Sequence, residues 1–211
     1  MQFYKSDLLQ YISGSISDTD LLEQLTGLGL EVDHSKKEKN DLLIKLDLTP
    51  NRGDCFSLIG IARDVCAVNN LKLKLPKFKK QHQSLDSKKT VSVDKSACSS
   101  YLGLIIKLKS KGKTPQYIKK TLKAADIGQV NPIVDITNYI MLHTGQPLHA
   151  FDNKKIGKKI YVKFPSKRTK LKLLDGTTHE ISKDFLTISD EKEVIALAGI
   201  MGCANSEVDE T

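Results

Sequence analysis

The chain has 211 residues, of which 39% are hydrophobic and 27% are charged, proportions that suit a globular protein with a core of its own. Nowhere are 18 consecutive residues apolar, and the first residues lack the pattern of a signal peptide, so we expect a cytoplasmic protein with no membrane partner. The net charge of +8 comes mainly from lysine. It favours a polyanionic partner such as RNA but also fits a merely solvated surface.

The first 75 residues predict a small domain rich in helix. Residues 1–33 have helical character, with Ser17 as a capping residue and the apolar positions Leu21, Leu22, Leu25 and Leu28 on one face. Residues 34–41 form a polar stretch with no pattern that predicts packing. Residues 42–48 alternate as in a strand, and a second helix begins after Ser57 and ends near Asn69.

Residues 76–89 are charged, aperiodic and begin with proline, which predicts a linker before a second domain over 90–211. Thr114-Pro115 and Asn131-Pro132 each predict a helix start, and Gly145 the end of the second helix. Asp175-Gly176 predicts a type I′ hairpin turn. The predicted strands are 90–94, 101–108, 159–164, 170–174, 185–189 and 194–200. The fold class is therefore α+β.

Three polar residues stand out in NPIVDITNYIMLHTGQPLHAFD (131–152). Thr137 and Asn138 lie inside a helix whose apolar residues predict burial on several sides, so they line a polar pocket or brace the loop that follows. His149 could shuttle a proton, or it could be a packed loop residue. Gly199 and Gly202 fit a tight turn or a ligand-facing wall.

The four cysteines, Cys55, Cys66, Cys98 and Cys203, are scattered without a paired spacing. Zinc sites need clustered ligands, so we expect reduced thiols and no metal site.

Five stretches carry a family resemblance, in the same order as in the family. They are LTGLGLEVD (25–33), LTPNRGDCFSLIGIARDV (48–65), VDITNYIMLHTGQPLHAFD (134–152), KLLDGTTHEI (172–181) and ALAGIMGCANSEV (196–208). The chain thereby resembles the N-terminal part of the β subunit of bacterial phenylalanyl-tRNA synthetases.

The resemblance implies that residues after the linker form a mixed α/β editing domain with antiparallel hairpins, which hydrolyses tyrosine wrongly attached to tRNA(Phe). Catalytic roles would fall on Thr137, Asn138 and His149, and substrate contacts on Gly199 together with Thr137 and Asn138. The implied partners are tRNA(Phe) and the synthetase α subunit, in a hetero-oligomer. No cofactor is expected in this chain; ATP and magnesium would bind only at the α subunit.

Two departures from the family pattern affect this expectation. The family inserts an oligonucleotide-binding-fold domain, which binds tRNA, where this chain has only residues 34–41. A family glutamate that contacts the tyrosine hydroxyl lies beyond the position of Thr211, so we expect the editing domain to be incomplete at that end. A smaller departure is Ser100, where arginine is common.

An alternative hypothesis is that the chain is a non-catalytic scaffold or an RNA-contacting module of the synthetase. The two departures favour it, whereas the combination of Thr137, Asn138 and His149 disfavours it. A DNA-binding function would rest on net charge alone, and DNA is not an expected partner.

Overall fold

The computed structural model describes residues 1–78, 89–110 and 112–208. By its contacts the chain forms two compact units: Met1–Lys80 with Lys111–Leu148, and Gln81–Ser110 with His149–Thr211. This division differs from the predicted succession of 1–75, 76–89 and 90–211, because the two helices after residue 111 pack with the first unit. The predicted linker lies mostly outside the described residues.

The first unit contains a three-stranded antiparallel sheet with strands in the order β1-β3-β2. Its elements are β1 (Gln2–Tyr4), α1 (Lys5–Leu9), α2 (Asp18–Gly27), β2 (Glu31–Glu38), β3 (Asp41–Asp47), α3 (Leu58–Val68), α4 (Gln116–Ala124) and α5 (Pro132–Thr144). One core of buried apolar side chains extends from Phe3 to Cys66. It holds the sheet against α1, α2 and α3.

Local capping explains where the helices of the first unit begin. Ser17 accepts a hydrogen bond from the amide of Asp20, and Ser57 accepts one from Gly60, as predicted. Asn131 accepts from Ile133 and Val134, which confirms the third predicted cap.

The predicted start of α4 is wrong by one position. Pro115 itself is the capping residue and has extended backbone, so the helix begins at Gln116. Thr114 does not cap the helix; its hydroxyl donates instead to Asp135 at 2.5 Å.

Two further predictions for the first unit are wrong. Residues 2–4 form a strand rather than helix, because they pair with β3. The polar stretch 34–41 is not loose, since most of it belongs to β2 and pairs along β3. A two-residue turn joins these strands, and Lys39 there has a positive φ of 53°.

The second unit contains a five-stranded mixed sheet in the order β10-β9-β8-β5-β4 and a separate two-stranded hairpin, β6-β7. Its strands are β4 (Thr90–Val93), β5 (Lys159–Lys163), β6 (Thr169–Lys172), β7 (Thr178–Ile181), β8 (Thr187–Ser189), β9 (Val194–Leu197) and β10 (Met201–Gly202). Only β4 and β5 run parallel. The predicted α+β class with antiparallel hairpins is confirmed.

The hairpin between β6 and β7 forms at the predicted Asp175-Gly176, but its turn type differs from the prediction. Only Gly176 has a positive φ, 82°, whereas a type I′ turn needs two such residues. The amide of Gly176 donates to Leu173, and that of Leu173 to Thr177. A three-residue loop that ends in a left-handed glycine therefore closes the hairpin.

The predicted strand over 101–108 does not form. The segment has no ladder partner among the described residues, and Leu102, Leu104, Ile106 and Leu108 are exposed. It runs beside the edge strand β4, since a Cβ on Gly103 would be 3.7 Å from Val91.

Candidate functional site

Thr137 and Asn138 lie in the middle of α5, in the first unit. The Thr137 hydroxyl donates to the carbonyl of Val134 at 2.8 Å, inside its own helix. The Asn138 side chain makes no hydrogen bond within the described residues, so it does not brace the loop that follows the helix. Both side chains are partly exposed, which leaves the Asn138 amide available to a ligand.

The helix that carries this pair is less buried than its apolar sequence predicts. Only Asp135 and His143 are fully buried on it, and Ile136 is 45% exposed. The ends of α5 are well fixed, because Asn131 caps it and Gly145 terminates it with a φ of 75°. The predicted burial on several sides is therefore wrong, while the predicted bounds are confirmed.

The two buried polar residues of α5, Asp135 and His143, were not predicted from the sequence. Asp135 accepts hydrogen bonds from Thr114 and from the amide of Val130. His143 meets the hydroxyl of Tyr11 through Nδ1 at 2.6 Å, and burial lowers the pKa of His143 to about 4. These contacts anchor α5 to its neighbours. The contacts with Thr114 and Tyr11 join residues 21 and 132 positions apart, so no local pattern predicts them.

His149 belongs to the second unit, where its imidazole lies against the β9-β10 hairpin. A Cβ built on Gly202 would be 2.4 Å from Cε1 of His149, so only glycine fits there. Phe151 makes an edge contact with the same ring at a centroid distance of 4.5 Å.

The surroundings of His149 favour the neutral form of its imidazole. Its residue is exposed to solvent, yet desolvation by surrounding protein lowers the pKa of His149 below its ordinary value of 6.5. Its ring makes no hydrogen bond within the described part of the chain. A neutral imidazole offers one N–H donor and one acceptor nitrogen to solvent or to a polar ligand.

Gly199 lies in the turn that joins β9 to β10, with a φ of 72°. Apart from its chain neighbours, no atom lies within 4 Å of a Cβ built there. The backbone of Gly199 is therefore exposed to solvent without a side chain covering it. Gly199 therefore lies in a tight turn, one of the two predicted possibilities. The open space beside it leaves room for a ligand.

Within the second unit, the structure brings His149 against the hairpin that contains Gly199 and Gly202. Thr137 and Asn138 belong to the first unit. The assignment of all four predicted site residues to one pocket stays a prediction.

A group of possible metal ligands, Asp54, Cys55 and Asp64, occurs in the first unit. Arg52 donates to all three side chains. The guanidinium of Arg52 lowers the pKa of Asp54 to about 2, and burial raises the pKa of Cys55 to about 11. The Arg52 guanidinium already pairs with the candidate ligand atoms, so these four residues form an ion-pair network in the first unit.

No helix in the described ranges is both long and apolar enough to cross a bilayer.

Comparisons with known proteins place this α+β chain in a family. Residues 97–211 match the model of the B3/4 domain, and this range includes all four predicted site residues. The chain belongs to the B3/4 domain family.

Many phenylalanine–tRNA ligase β subunits are similar to most of the chain, which confirms the predicted resemblance. That of Photorhabdus laumondii is 43% identical over 173 residues, covering 81% of this chain and 22% of its own length. That of Rhodopirellula baltica is 36% identical over 207 residues, covering 96% and 30%. The chain thus spans less than a third of either relative.

An N-terminal fragment of the Pyrococcus horikoshii phenylalanyl-tRNA synthetase β subunit is a more distant solved structure. It has a TM-score of 0.49 and 21% identity, and the match covers 99% of this chain and 64% of that one. This likeness is too weak to carry an argument about function.

Proposed function

We propose that this chain is part of a phenylalanine–tRNA ligase β subunit in protein biosynthesis, and that it hydrolyses tyrosine from mischarged tRNA(Phe). The family match over residues 97–211 and the names of the relatives support the first part. The placement of His149 supports the second, because a neutral imidazole faces solvent beside a glycine hairpin.

A hydrolytic site compensates for the limited selectivity of a pocket that binds phenylalanine. An apolar pocket built for phenylalanine rejects a ligand with one added hydroxyl by a factor of only about 10². A hydrolytic site with polar groups for that hydroxyl reverses the preference, because phenylalanine would leave them unpaired at about 1–3 kcal/mol each.

In this proposal, His149 positions or deprotonates the water that attacks the ester carbonyl at the tRNA 3′ end. Thr137 and Asn138 enter through the family resemblance, as groups that hold the ester and water, and Gly199 as a substrate contact. No covalent intermediate is required. The α subunit of a hetero-oligomer would supply the synthetic site with ATP and magnesium, and no cofactor is proposed for this chain.

The test is deacylation of tyrosyl-tRNA(Phe) and phenylalanyl-tRNA(Phe) by the wild-type chain and by His149→Ala. We expect selective loss of tyrosine that slows about 10²-fold in the variant, the lower range for a general acid–base group. His34→Ala is the matched control, since His34 is exposed on β2. Asn138→Ala tests the amide in the same assay.

A non-catalytic scaffold is the competing function. It is favoured by the hydroxyl of Thr137, which is already bonded within its own helix. Hydrolysis of neither ester by the wild-type chain would support the scaffold, and an unchanged rate in His149→Ala would remove histidine catalysis.

A further inference from the structure

The imidazole of His149 lacks the hydrogen bond that usually fixes the orientation of a reactive histidine. Its side chain is exposed, and neither ring nitrogen has a hydrogen-bond partner within the described residues. In many active sites a carboxylate or a carbonyl accepts from one ring nitrogen and thereby sets the orientation of the other. Without such a partner, an exposed side chain rotates unless packing restrains it. The contacts around the ring therefore decide where its nitrogens point.

One of these contacts is with the β9-β10 hairpin. A Cβ built on Gly202 would be 2.4 Å from Cε1 and 2.5 Å from Nε2 of His149, so this edge of the ring occupies the space of a side chain. Cδ1 of Leu174 lies 3.0 Å from the same point. The hairpin stops the ring from moving further inward, but it does not stop the ring from swinging out into solvent. A second contact is needed to hold the ring there.

Phe151 supplies the second contact. Its ring meets the imidazole of His149 in an edge arrangement, with a centroid distance of 4.5 Å and an angle of 69° between the ring planes. This geometry is typical of favourable aromatic pairs. Both residues belong to the second unit and lie two positions apart. The backbone that carries His149 therefore also presents the ring that packs against it.

The Phe151 side chain is itself held by the core of the second unit. The amide of Asp152, the next residue, donates to the carbonyl of Ser206 at 3.1 Å. Ser206 is fully buried, and its hydroxyl donates to the carbonyl of Ile195 on β9. The Phe151 ring is partly buried and packs against an apolar cluster of the five-stranded sheet: Ile160, Val162, Ile188, Ile195 and Ala196. The core thus supports the contact with the exposed histidine.

Charged groups do not take over this role. Burial lowers the pKa of His149, and no charge in the described residues contributes to that shift. Cys203 follows Gly202, and burial raises the pKa of its thiol to about 11, so it is neutral at pH 7. The other titratable groups on the segments that pack against the ring are Asp152, Lys154, Lys155, Lys172 and Asp175. Packing is therefore the restraint on His149 that the structure offers.

We propose that Phe151 is a positioning residue for the proposed ester hydrolysis, because its ring holds the imidazole of His149 against Gly202 where no hydrogen bond does so. The proposal rests on the proposed role of His149. Phe151 contacts neither the ester nor the attacking water, and it acts through the histidine alone. Since packing leaves both ring nitrogens without a protein partner, one can accept from water while the other donates to the ester.

The kinetic test is deacylation of tyrosyl-tRNA(Phe) by Phe151→Leu in the full chain. Leucine keeps an apolar side chain on the core cluster but removes the aromatic edge. We expect kcat to fall about tenfold, because small displacements of a reacting group cost up to about 10²-fold. KM should not change, since Phe151 does not bind the substrate. Phe151→Tyr keeps the ring and should retain the wild-type rate.

Phe185→Leu is the matched control. Phe185 belongs to the same unit, is 44% exposed and has no ring contact with a histidine in the described part of the chain. Its rate should equal that of the wild type. Equal losses in Phe151→Leu and Phe185→Leu, or no loss in Phe151→Leu, would overturn the positioning role. A folded Phe151→Tyr protein as slow as Phe151→Leu would also overturn it.

Nuclear magnetic resonance tests the contact without any hydrolysis. In the full chain with labelled histidine, the signals of His149 are those that disappear in His149→Ala. The Phe151 ring current should displace its ring protons, and Phe151→Leu should remove that displacement. The same variant should raise the pKa of His149 toward 6.5, because water replaces the ring that desolvates it. Unchanged shifts and an unchanged titration would overturn the proposal.

The pH profile links the two measurements. If neutral His149 is required, kcat/KM falls as pH drops through the pKa of His149, and this acid limb should move to higher pH in Phe151→Leu. An unmoved limb would contradict the proposal. Failure of the proposed hydrolysis is distinguishable, since a wild-type chain that cleaves neither ester would still show the Phe151 ring-current shift. Selective hydrolysis that is equally fast in Phe151→Leu would remove the positioning role alone.

Discussion

Gly60 shows at the residue scale how a family motif can serve packing rather than chemistry. It lies in the first turn of α3, where a Cβ would be 1.8 Å from the carbonyl oxygen of Asp54. We predict that Gly60→Ala lowers the free energy of unfolding by about 1–3 kcal/mol, because the turn must shift to admit a methyl group.

Gly27→Ala is the control for that change. Gly27 ends α2 with no neighbour within 4 Å of the added Cβ, so it should alter stability by at most about 1 kcal/mol. Urea denaturation of both variants measures the difference. A Gly60 variant as stable as the Gly27 variant would contradict the close approach.

His143 makes stability depend on pH. Its pKa is about 4 in the folded chain against 6.5 when unfolded, so the unfolded state takes up the proton first as pH falls. Stability that is fully present above pH 6.5 should therefore be lost toward pH 4. Between pH 7.5 and 5 we predict a loss of about 2 kcal/mol from this group.

His143→Gln isolates the contribution, since glutamine does not titrate. Urea unfolding of both proteins across this range should give curves that diverge, with the wild type losing more stability in acid. Parallel curves would mean that His143 is solvated or paired in the folded state. Tyr11 and Tyr139, the titratable groups that contact His143, are common to both proteins.

Residue identity alone could have located some of these features but not others. Capping by Ser17, Ser57 and Asn131 is local chemistry, and the sequence predicted it. The contact of His149 with Gly202 joins residues far apart in sequence, and so does that of Tyr11 with His143. Such pairs carry no periodic signal, so the candidate site came from family resemblance rather than from pattern.

Among the secondary-structure elements, the hydrophobic pattern failed to predict one strand and predicted another that does not form. Strand β2 was missed because its side chains are mostly polar, and its ladder with β3 holds it in the sheet. Residues 101–108 alternate like a strand but lack a ladder partner within the described residues. Pairing depends on a distant segment, so period-two alternation alone does not decide it.

Because residues 101–108 are exposed and unpaired within the described residues, a substitution there should have little effect on the free energy of unfolding. Leu104 is 73% exposed, whereas Leu122 on α4 is fully buried. Leu104→Ser should change the free energy of unfolding by no more than about 0.5 kcal/mol, and Leu122→Ala should cost about 2–5 kcal/mol. Denaturant titration compares them, and a large loss in Leu104→Ser would show that the segment packs after all.

At the scale of the whole molecule, the first unit is assembled from two separate stretches of chain. Its main cluster of buried apolar side chains comes from residues 3–66, and α4 adds the buried Ile118 and Leu122. Polar contacts attach α4 and α5 to that core: Asp7 to Thr121, Tyr11 to His143 and Asp41 to Lys120. The sequence predicted the core segment but not this attachment, because the joining residues are polar and distant.

We therefore predict that a fragment of residues 1–78 folds cooperatively by itself but is less stable than the full chain. Its 17 buried apolar side chains remain together, whereas Asp7 loses Thr121 and Tyr11 loses His143. Dispersed amide resonances and a single urea transition at lower midpoint are the expected results. In the full chain, Thr121→Val should lower stability in the same direction, by about 1–3 kcal/mol, because Oδ2 of the buried Asp7 loses its donor while Gln10 still donates to Oδ1. A fragment with collapsed amide resonances would show that α4 and α5 are required for the core to form, and would make the two stretches a single folding unit.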